Sequence, residues 1–148
     1  MLIRKFAPED QTATKAIIYA GLADYFEFID ETLNPDLDDI ASSFATGCFL
    51  VGEVDGEIVA TGGYKKFDSE TVKIERVSVH SNFRRLGLAS QLFNALISEA
   101  KKAGYKRIVL ETTSDWDKAI KFWLKNGFQI THVDNSGDWS ETWFERQI

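Results

Sequence analysis

The chain has 148 residues, 44% of them hydrophobic and 27% charged, which is typical of a soluble globular protein and predicts a single domain over residues 1–148. Its net charge of −6 argues against nucleic-acid binding, because such surfaces need basic patches that neutralise phosphates. No apolar run approaches the ~18 residues of a membrane span, and the N-terminus has no apolar core of signal-peptide type, so no membrane association is expected.

The first elements in chain order are a short strand and two helices. Residues 2–6 are predicted as a strand, and Pro8 with the following acids predicts a helix that includes residues 14–20. Asn34-Pro35-Asp36 predicts a second helix over about residues 35–45, with Asn34 as its N-cap.

A β-hairpin follows the second helix. Cys48 is the only cysteine, which excludes intrachain disulfides and cysteine-rich zinc sites; no metal site is predicted, and the reducing cytoplasm is the expected location. Asp55-Gly56 is a strong hairpin signal between strands at residues 49–54 and 57–66. Gly62-Gly63 allows a bulge or a close backbone approach in the second of these strands.

The stretch from residue 74 to residue 104 combines a buried strand, a basic turn and an amphipathic helix. Ile74, Val77 and Val79 favour the strand, and apolar residues at spacings of three and four predict the helix from about Leu88 to its end at Gly104. A helix N-terminus offers unpaired N–H groups and the positive end of the helix dipole. Because Gly87 has no side chain, the turn suits a pyrophosphate.

The second half of the chain continues with alternating elements. Residues 106–111 are predicted as a strand parallel to its predecessor, and a helix is predicted to start with Ser114 as its cap. Residues 128–133 and 139–146 are predicted to pair as the last two strands. For the aromatic residues Trp139, Trp143 and Phe144 two interpretations remain open, pairing with a second subunit as a homodimer or packing on the chain's own sheet.

Two short patterns, one in the basic turn and one in the last predicted helix, are informative about the family. A Walker A loop and a three-glycine dinucleotide fingerprint are both missing. Arg84-x-x-Gly87-x-Ala89 resembles motif A, Q/R-x-x-G-x-G/A, and residues 119–128 resemble motif B, A-x-x-F/L-Y-x-x-x-G-F, of the GNAT superfamily of N-acetyltransferases. The two patterns occur in the expected order with a strand between them. The resemblance implies a mixed α/β sheet of about seven strands with four helices, splayed between the fourth and fifth strands.

The resemblance also implies that acetyl-CoA is the co-substrate. The backbone of the fourth strand would pair with the pantetheine arm, amides of the basic turn would hold the pyrophosphate, and the N–H near Val77 would polarise the thioester carbonyl. The cofactor-binding residues expected on this basis are Val77, Ser78, Val79, Arg84, Arg85, Leu86, Gly87, Leu88, Ala89, Ser90, Trp116 and Trp123.

The reaction implied is the direct attack of a neutral primary amine on the thioester. An amine is protonated at neutral pH, so a base is needed, and Glu75 or Glu111 stands where the superfamily often has one. Glu75 is preferred, and it is expected to share a face of its strand with Val77. Tyr25, Phe26 and Phe28 are either substrate-binding residues of the acceptor pocket or plain core.

One departure from motif B affects the proton donor. Trp123 replaces the tyrosine that often protonates the departing thiolate, and indole cannot act as a general acid. The proton would then come from water or from Tyr19, Tyr25 or Tyr64. The alternative function is a CoA-binding sensor or interaction domain with little catalysis. The amine acceptor, a small molecule or a protein amine, is not identified by the residues.

Overall fold

The computed structural model describes residues 1–26 and 28–148, and these residues form seven β-strands and four α-helices. The strands are β1 (Leu2–Lys5), β2 (Cys48–Val54), β3 (Glu57–Lys66), β4 (Thr71–Val79), β5 (Arg107–Thr113), β6 (Gln129–Asp134) and β7 (Glu141–Gln147). The helices are α1 (Gln11–Leu22), α2 (Ile40–Ser43), α3 (Leu88–Lys102) and α4 (Asp117–Lys125). None of the helices in the described residues is both long and apolar enough to span a membrane.

The seven strands form one mixed sheet in the order β1-β2-β3-β4-β5-β7-β6. Only β4 and β5 are parallel neighbours, because α3 connects them as a crossover, and every other pair is antiparallel. The predicted mixed α/β fold and the parallel central pair are confirmed.

Apolar side chains pack on both faces of the sheet. On one face Leu92 and Phe93 of α3 and Trp123 of α4 belong to the larger buried cluster. On the other face a smaller cluster joins Ile18 of α1 and Ile40 of α2 to β2. The sheet is therefore covered on both sides.

The prediction of a second helix over about residues 35–45 is wrong for most of that range. Residues Pro35–Asp38 form a 3-10 turn, and α2 covers only four residues after it. Asp39 separates the two, with φ −150° and ψ 86°, and its Oδ1 accepts a hydrogen bond from the Ser42 N–H. Asn34 does not cap the turn, since its Oδ1 accepts a hydrogen bond from Arg76 instead. Contacts with β4 thus override the local helix signal.

The start of α4 also differs from the prediction. The helix begins at Asp117, and Trp116 occupies the N-cap position. The hydroxyl of Ser114 is hydrogen-bonded to those of Ser140 (2.8 Å) and Thr142 (2.9 Å). Ser114 therefore ties the end of β5 to the start of β7 and does not cap the helix.

A β-bulge interrupts the pairing of β4 with β3. The register shifts between Thr61 and Gly63, so that Arg76 and Val77 together face one residue of β3. Arg76 has φ +60°, in the left-handed region that a non-glycine residue seldom adopts. The Thr61 hydroxyl donates a hydrogen bond to the Arg76 carbonyl oxygen (2.9 Å) and holds this conformation.

Because of the bulge, Glu75 and Val77 lie on opposite faces of the sheet. Val77 packs against the larger cluster, beneath α3. Glu75 pairs with Gly63, where a Cβ would meet Phe49 of the smaller cluster on the other face. The expectation that Glu75 and Val77 share a face is therefore wrong.

The strand β7 lies inside the sheet, between β5 and β6. Phe144 is fully buried there, and Trp143 pairs with Glu111 of β5. These two aromatic residues therefore pack on the chain's own sheet, which is the second of the two interpretations. Formation of a homodimer stays a prediction.

Candidate active site

The central feature is a gap between β4 and β5. The two strands pair at only three positions, Thr71 with Arg107, Val72 with Ile108 and Lys73 with Val109. Beyond Lys73 each strand continues with its outer neighbour alone, β4 with β3 and β5 with β7. The sheet is splayed at this point, as expected, and backbone groups of both strands become available to a ligand.

A cavity of about 1070 Å³ lies in this gap, slightly larger than most small-molecule sites. Most of the residues predicted from the sequence line it. They are Tyr25, Glu75, Val77, Ser78, Val79, Arg84, Arg85, Gly87, Leu88, Ala89, Ser90, Glu111, Trp116 and Trp123. Leu86, Phe26 and Phe28 do not belong to the lining; residues Leu86 and Phe28 are 63% and 80% exposed.

The basic turn leads into the 15-residue helix α3 at one end of the cavity. Gly87 is the N-cap of α3, with φ +76°, and Arg85 before it has φ +63°. A Cβ on Gly87 would meet no atom within 4 Å, so open space lies beside the first amides of the helix. Arg84 is tied back by its guanidinium to Asp24 (2.6 Å) and to the Val79 carbonyl oxygen (3.2 Å).

Charged side chains gather on the cavity wall where β4 and β5 separate. Lys73 Nζ lies 2.6 Å from Glu111 Oε1 and 3.6 Å from Glu75 Oε1. Lys65 Nζ lies 3.3 Å from the other oxygen of Glu75. The two carboxylates predicted as bases therefore meet at one lysine, although they come from different strands.

Glu141 is a further carboxylate of this wall that the sequence analysis did not single out. It lines the same cavity and is the first residue of β7. Burial, and then the nearby negative charge of Glu111, raise the pKa of the Glu141 carboxyl above its ordinary value. Only the pairing of β7 with β5, which no local pattern reveals, brings it to the site.

An aromatic cluster closes the cavity on the side of α1. The rings of Tyr25 and Trp116 are stacked, with centroids 4.2 Å apart, and Phe26 meets Trp116 edge-on at 5.6 Å. Phe26 also contacts Trp139. The segment after α1 is thereby joined to the turn before α4, across the gap. Burial raises the pKa of Tyr25 above its ordinary value.

Trp123 and the candidate tyrosines occupy different environments. Trp123 is buried and makes edge contacts with Phe93, Phe122 and Phe128, while it also lines the cavity. Of the tyrosines proposed as proton donors, only Tyr25 belongs to the cavity lining. Tyr64 lines a separate cavity of about 480 Å³, and burial raises its pKa to about 12.

Cys48 and the two histidines lie away from the gap. Cys48 lines the smaller cavity, and burial raises the pKa of its thiol. His80 Nδ1 accepts a hydrogen bond from the Asn82 N–H, and His132 stacks on Trp143 of the neighbouring strand. Within residues 1–26 and 28–148, no three side chains of His, Cys, Asp or Glu converge in a way that could hold a metal ion.

Comparison with known proteins assigns the family. Residues 16–128 match the model of the acetyltransferase (GNAT) family, so the chain belongs to that family. It is 27% identical over 124 residues to N-acetyltransferase 8 of Homo sapiens, a match that covers 78% of this chain and 55% of that protein. The chain spans about half the length of the curated relatives it matches, 55–60% for three of them.

Solved structures of other acetyltransferases share the fold. A GNAT acetyltransferase from Staphylococcus aureus Mu50 superimposes with a TM-score of 0.88 at 20% identity, over 99% of this chain and 98% of that one. The putative acetyltransferase yncA from Salmonella typhimurium, solved with its cofactor acetyl-CoA, gives a TM-score of 0.75 at 22% identity, over 99% and 93% of the two chains. Both cover nearly the whole chain, which confirms the predicted architecture.

Proposed function

We propose that this protein is an N-acetyltransferase that uses acetyl-CoA to acetylate a primary amine, by direct attack of the amine within a ternary complex. The observation that carries the proposal is the gap between β4 and β5, which joins the N-terminus of α3 to a group of carboxylates in one cavity. The putative acetyltransferase yncA, which has the same fold and was solved with acetyl-CoA, supports the choice of donor.

The cofactor half of the site is formed by backbone groups. Amides of residues 85–90 bind the pyrophosphate, because the start of a 15-residue helix favours anions and Gly87 leaves the approach open. Val77, Ser78 and Val79 pair with the pantetheine arm along the unpaired edge of β4. The N–H near Val77 stabilises the negative charge that develops on the thioester oxygen.

The acceptor half of the site contains the charged residues. Glu75 or Glu111 accepts a proton from the ammonium form of the acceptor, directly or through water, so that the neutral nitrogen can attack. Their carboxylates also attract a cation to the cavity. Tyr25 lines the same cavity and is our candidate proton donor for the thiolate, in place of the motif B tyrosine that Trp123 replaces.

A second candidate function is a CoA-binding sensor with little catalysis. The observation that favours it is Trp123, a buried side chain without an acidic proton at the motif B position. A thiolate is nevertheless a fair leaving group, since a free thiol has a pKa of ~8.5. Loss of that donor therefore slows the reaction without preventing it, and the enzyme is the better-supported candidate.

The test measures CoA release from acetyl-CoA with spermidine, 2-phenylethylamine, lysine and a peptide with a free N-terminus. We expect at least one amine to raise release above hydrolysis, and Glu75→Gln or Glu111→Gln to lower kcat by about 100-fold. Calorimetry should find acetyl-CoA binding unchanged in both variants. Glu99→Gln is the control, because Glu99 lies on α3 outside the cavity. Tight binding of acetyl-CoA with release at the hydrolysis rate for every amine would favour the sensor.

A further inference from the structure

Glu141 occupies a defined position next to Glu111. In the antiparallel pairing of β5 with β7, Glu111 faces Trp143 and Thr113 faces Glu141. Glu141 is therefore a diagonal neighbour of Glu111 on the same face, at a backbone separation of about 7–8 Å that long side chains can bridge. Both residues line the cavity.

The ion pairs of the wall distinguish Glu141 from the other two carboxylates. Lys73 holds Glu111 at 2.6 Å, and Lys65 and Lys73 flank Glu75 at 3.3 and 3.6 Å. A proton placed on either of these carboxylates weakens an ion pair. Among the residues that the structure describes, Glu141 takes part in no ion pair, so it can accept a proton without that loss.

The electrostatic surroundings of Glu141 act in the same direction. Burial and the negative charge of Glu111 raise its pKa; Lys73 opposes this shift, and Asp134 on β6 adds slightly to it. These groups belong to β4, β5 and β6, the strands around the start of β7. Two neighbouring carboxylates in such a site tend to share one proton.

We propose that Glu141 is a further residue of the acetyl-transfer site, which shares with Glu111 the proton given up by the acceptor amine. The inference rests on the proposed function. An ammonium loses two protons in the overall reaction: the Glu111–Glu141 pair takes the first, through water, before the C–N bond forms. The second passes to the sulfur as the C–S bond breaks, and the pair then releases its proton to solvent.

The experiment compares Glu141→Gln with Glu145→Gln, using whichever amine of the panel gives the fastest CoA release. Glu145 is a matched control, because it is the other diagonal neighbour of Glu111 on β7 but pairs with Arg107 (3.2 Å) outside the cavity. We expect Glu141→Gln to lower kcat about tenfold or more and to leave the KM for acetyl-CoA unchanged. The acidic limb of its pH profile should move to lower pH, because a neighbouring negative charge is removed. Glu145→Gln should change neither kcat nor the acidic limb of the pH profile.

A second measurement needs no substrate. Carbon-13 NMR of the glutamate carboxyls in the free protein should contain one signal that is lost in Glu141→Gln and that titrates above the ordinary value of 4.5 in the wild type. If the wild type is active and Glu141→Gln matches Glu145→Gln in kcat and pH profile, the inference about Glu141 is overturned and the proposed function stands. A wild type inactive with every amine would overturn the proposed function and the catalytic role of Glu141 together.

Discussion

The two glycines at the ends of α3 allow the stability of this protein and its binding of the cofactor to be tested separately. Gly87 (φ +76°) precedes the helix and Gly104 (φ +90°) follows it. At both positions a Cβ would meet no atom within 4 Å. Substitution by alanine therefore introduces the same backbone strain in each case and no steric clash in either.

The strain of a non-glycine residue in the left-handed region is about 1–2 kcal/mol. For a protein of this length that cost lowers Tm by about 5 °C, and the shift should be similar for Gly87→Ala and Gly104→Ala. Only the methyl group at Gly87 occupies the space beside the first amides of α3. Loss of one charge-assisted hydrogen bond to a phosphate costs about 1.5–3 kcal/mol, so we expect CoA to bind the Gly87→Ala variant about 10- to 150-fold more weakly.

Thermal unfolding of the two variants measures the change in Tm, and calorimetric titration with CoA measures the affinity. Gly104→Ala should retain the affinity of the wild type despite its lower Tm. Equal CoA affinity for Gly87→Ala and Gly104→Ala would refute the assignment of the pyrophosphate to the start of α3. A loss of affinity in both would mean that the strain spreads along the helix.

Two further predictions concern the ion pairs that anchor the N-terminal segments. Asp36→Ala should lower the free energy of unfolding in urea by about 2–3 kcal/mol, because Asp36 accepts two hydrogen bonds (2.7 and 2.9 Å) from the half-buried Arg76. The control Asp38→Ala removes an exposed carboxylate and should cost under about 1 kcal/mol. Equal costs would contradict this reasoning. Arg4 lowers the pKa of Asp10, so this pair stabilises the fold above the ordinary value of 3.8, and the stabilisation is lost as the pH falls through the lowered pKa. The stability difference between wild type and Asp10→Asn should therefore shrink below about pH 4. A difference that stays constant with pH would show that the pair is unimportant.

Local patterns in the sequence are enough to predict the central strand, the basic turn and α3. Apolar spacing defines the buried face of α3, and Gly87 marks its start. The hairpin at Asp55-Gly56 is likewise predicted by local residues, because both adopt the positive φ that such a turn requires. In each of these cases the determining residues are close together in the chain.

The features that the sequence did not predict depend on contacts between distant segments. Asn34 and Asp36 bind Arg76 of β4, some 40 residues away, and the chain around them forms a 3-10 turn because of that contact. Lys73 and Glu141 join the candidate site only through the register of β4, β5 and β7. The face on which Glu75 lies depends on a bulge whose left-handed residue is an arginine.

The bulge also determines what a change in chain length would do to β4. If Arg76 were deleted, Glu75 and Val77 would become consecutive residues, and β4 could pair continuously with β3 while both keep their present, opposite faces. The deletion would instead remove the side chain that holds Asn34 and Asp36 against the sheet. The extra residue therefore serves the segment before α2 more than it serves the sheet, and its loss should loosen that segment while the strand order is kept.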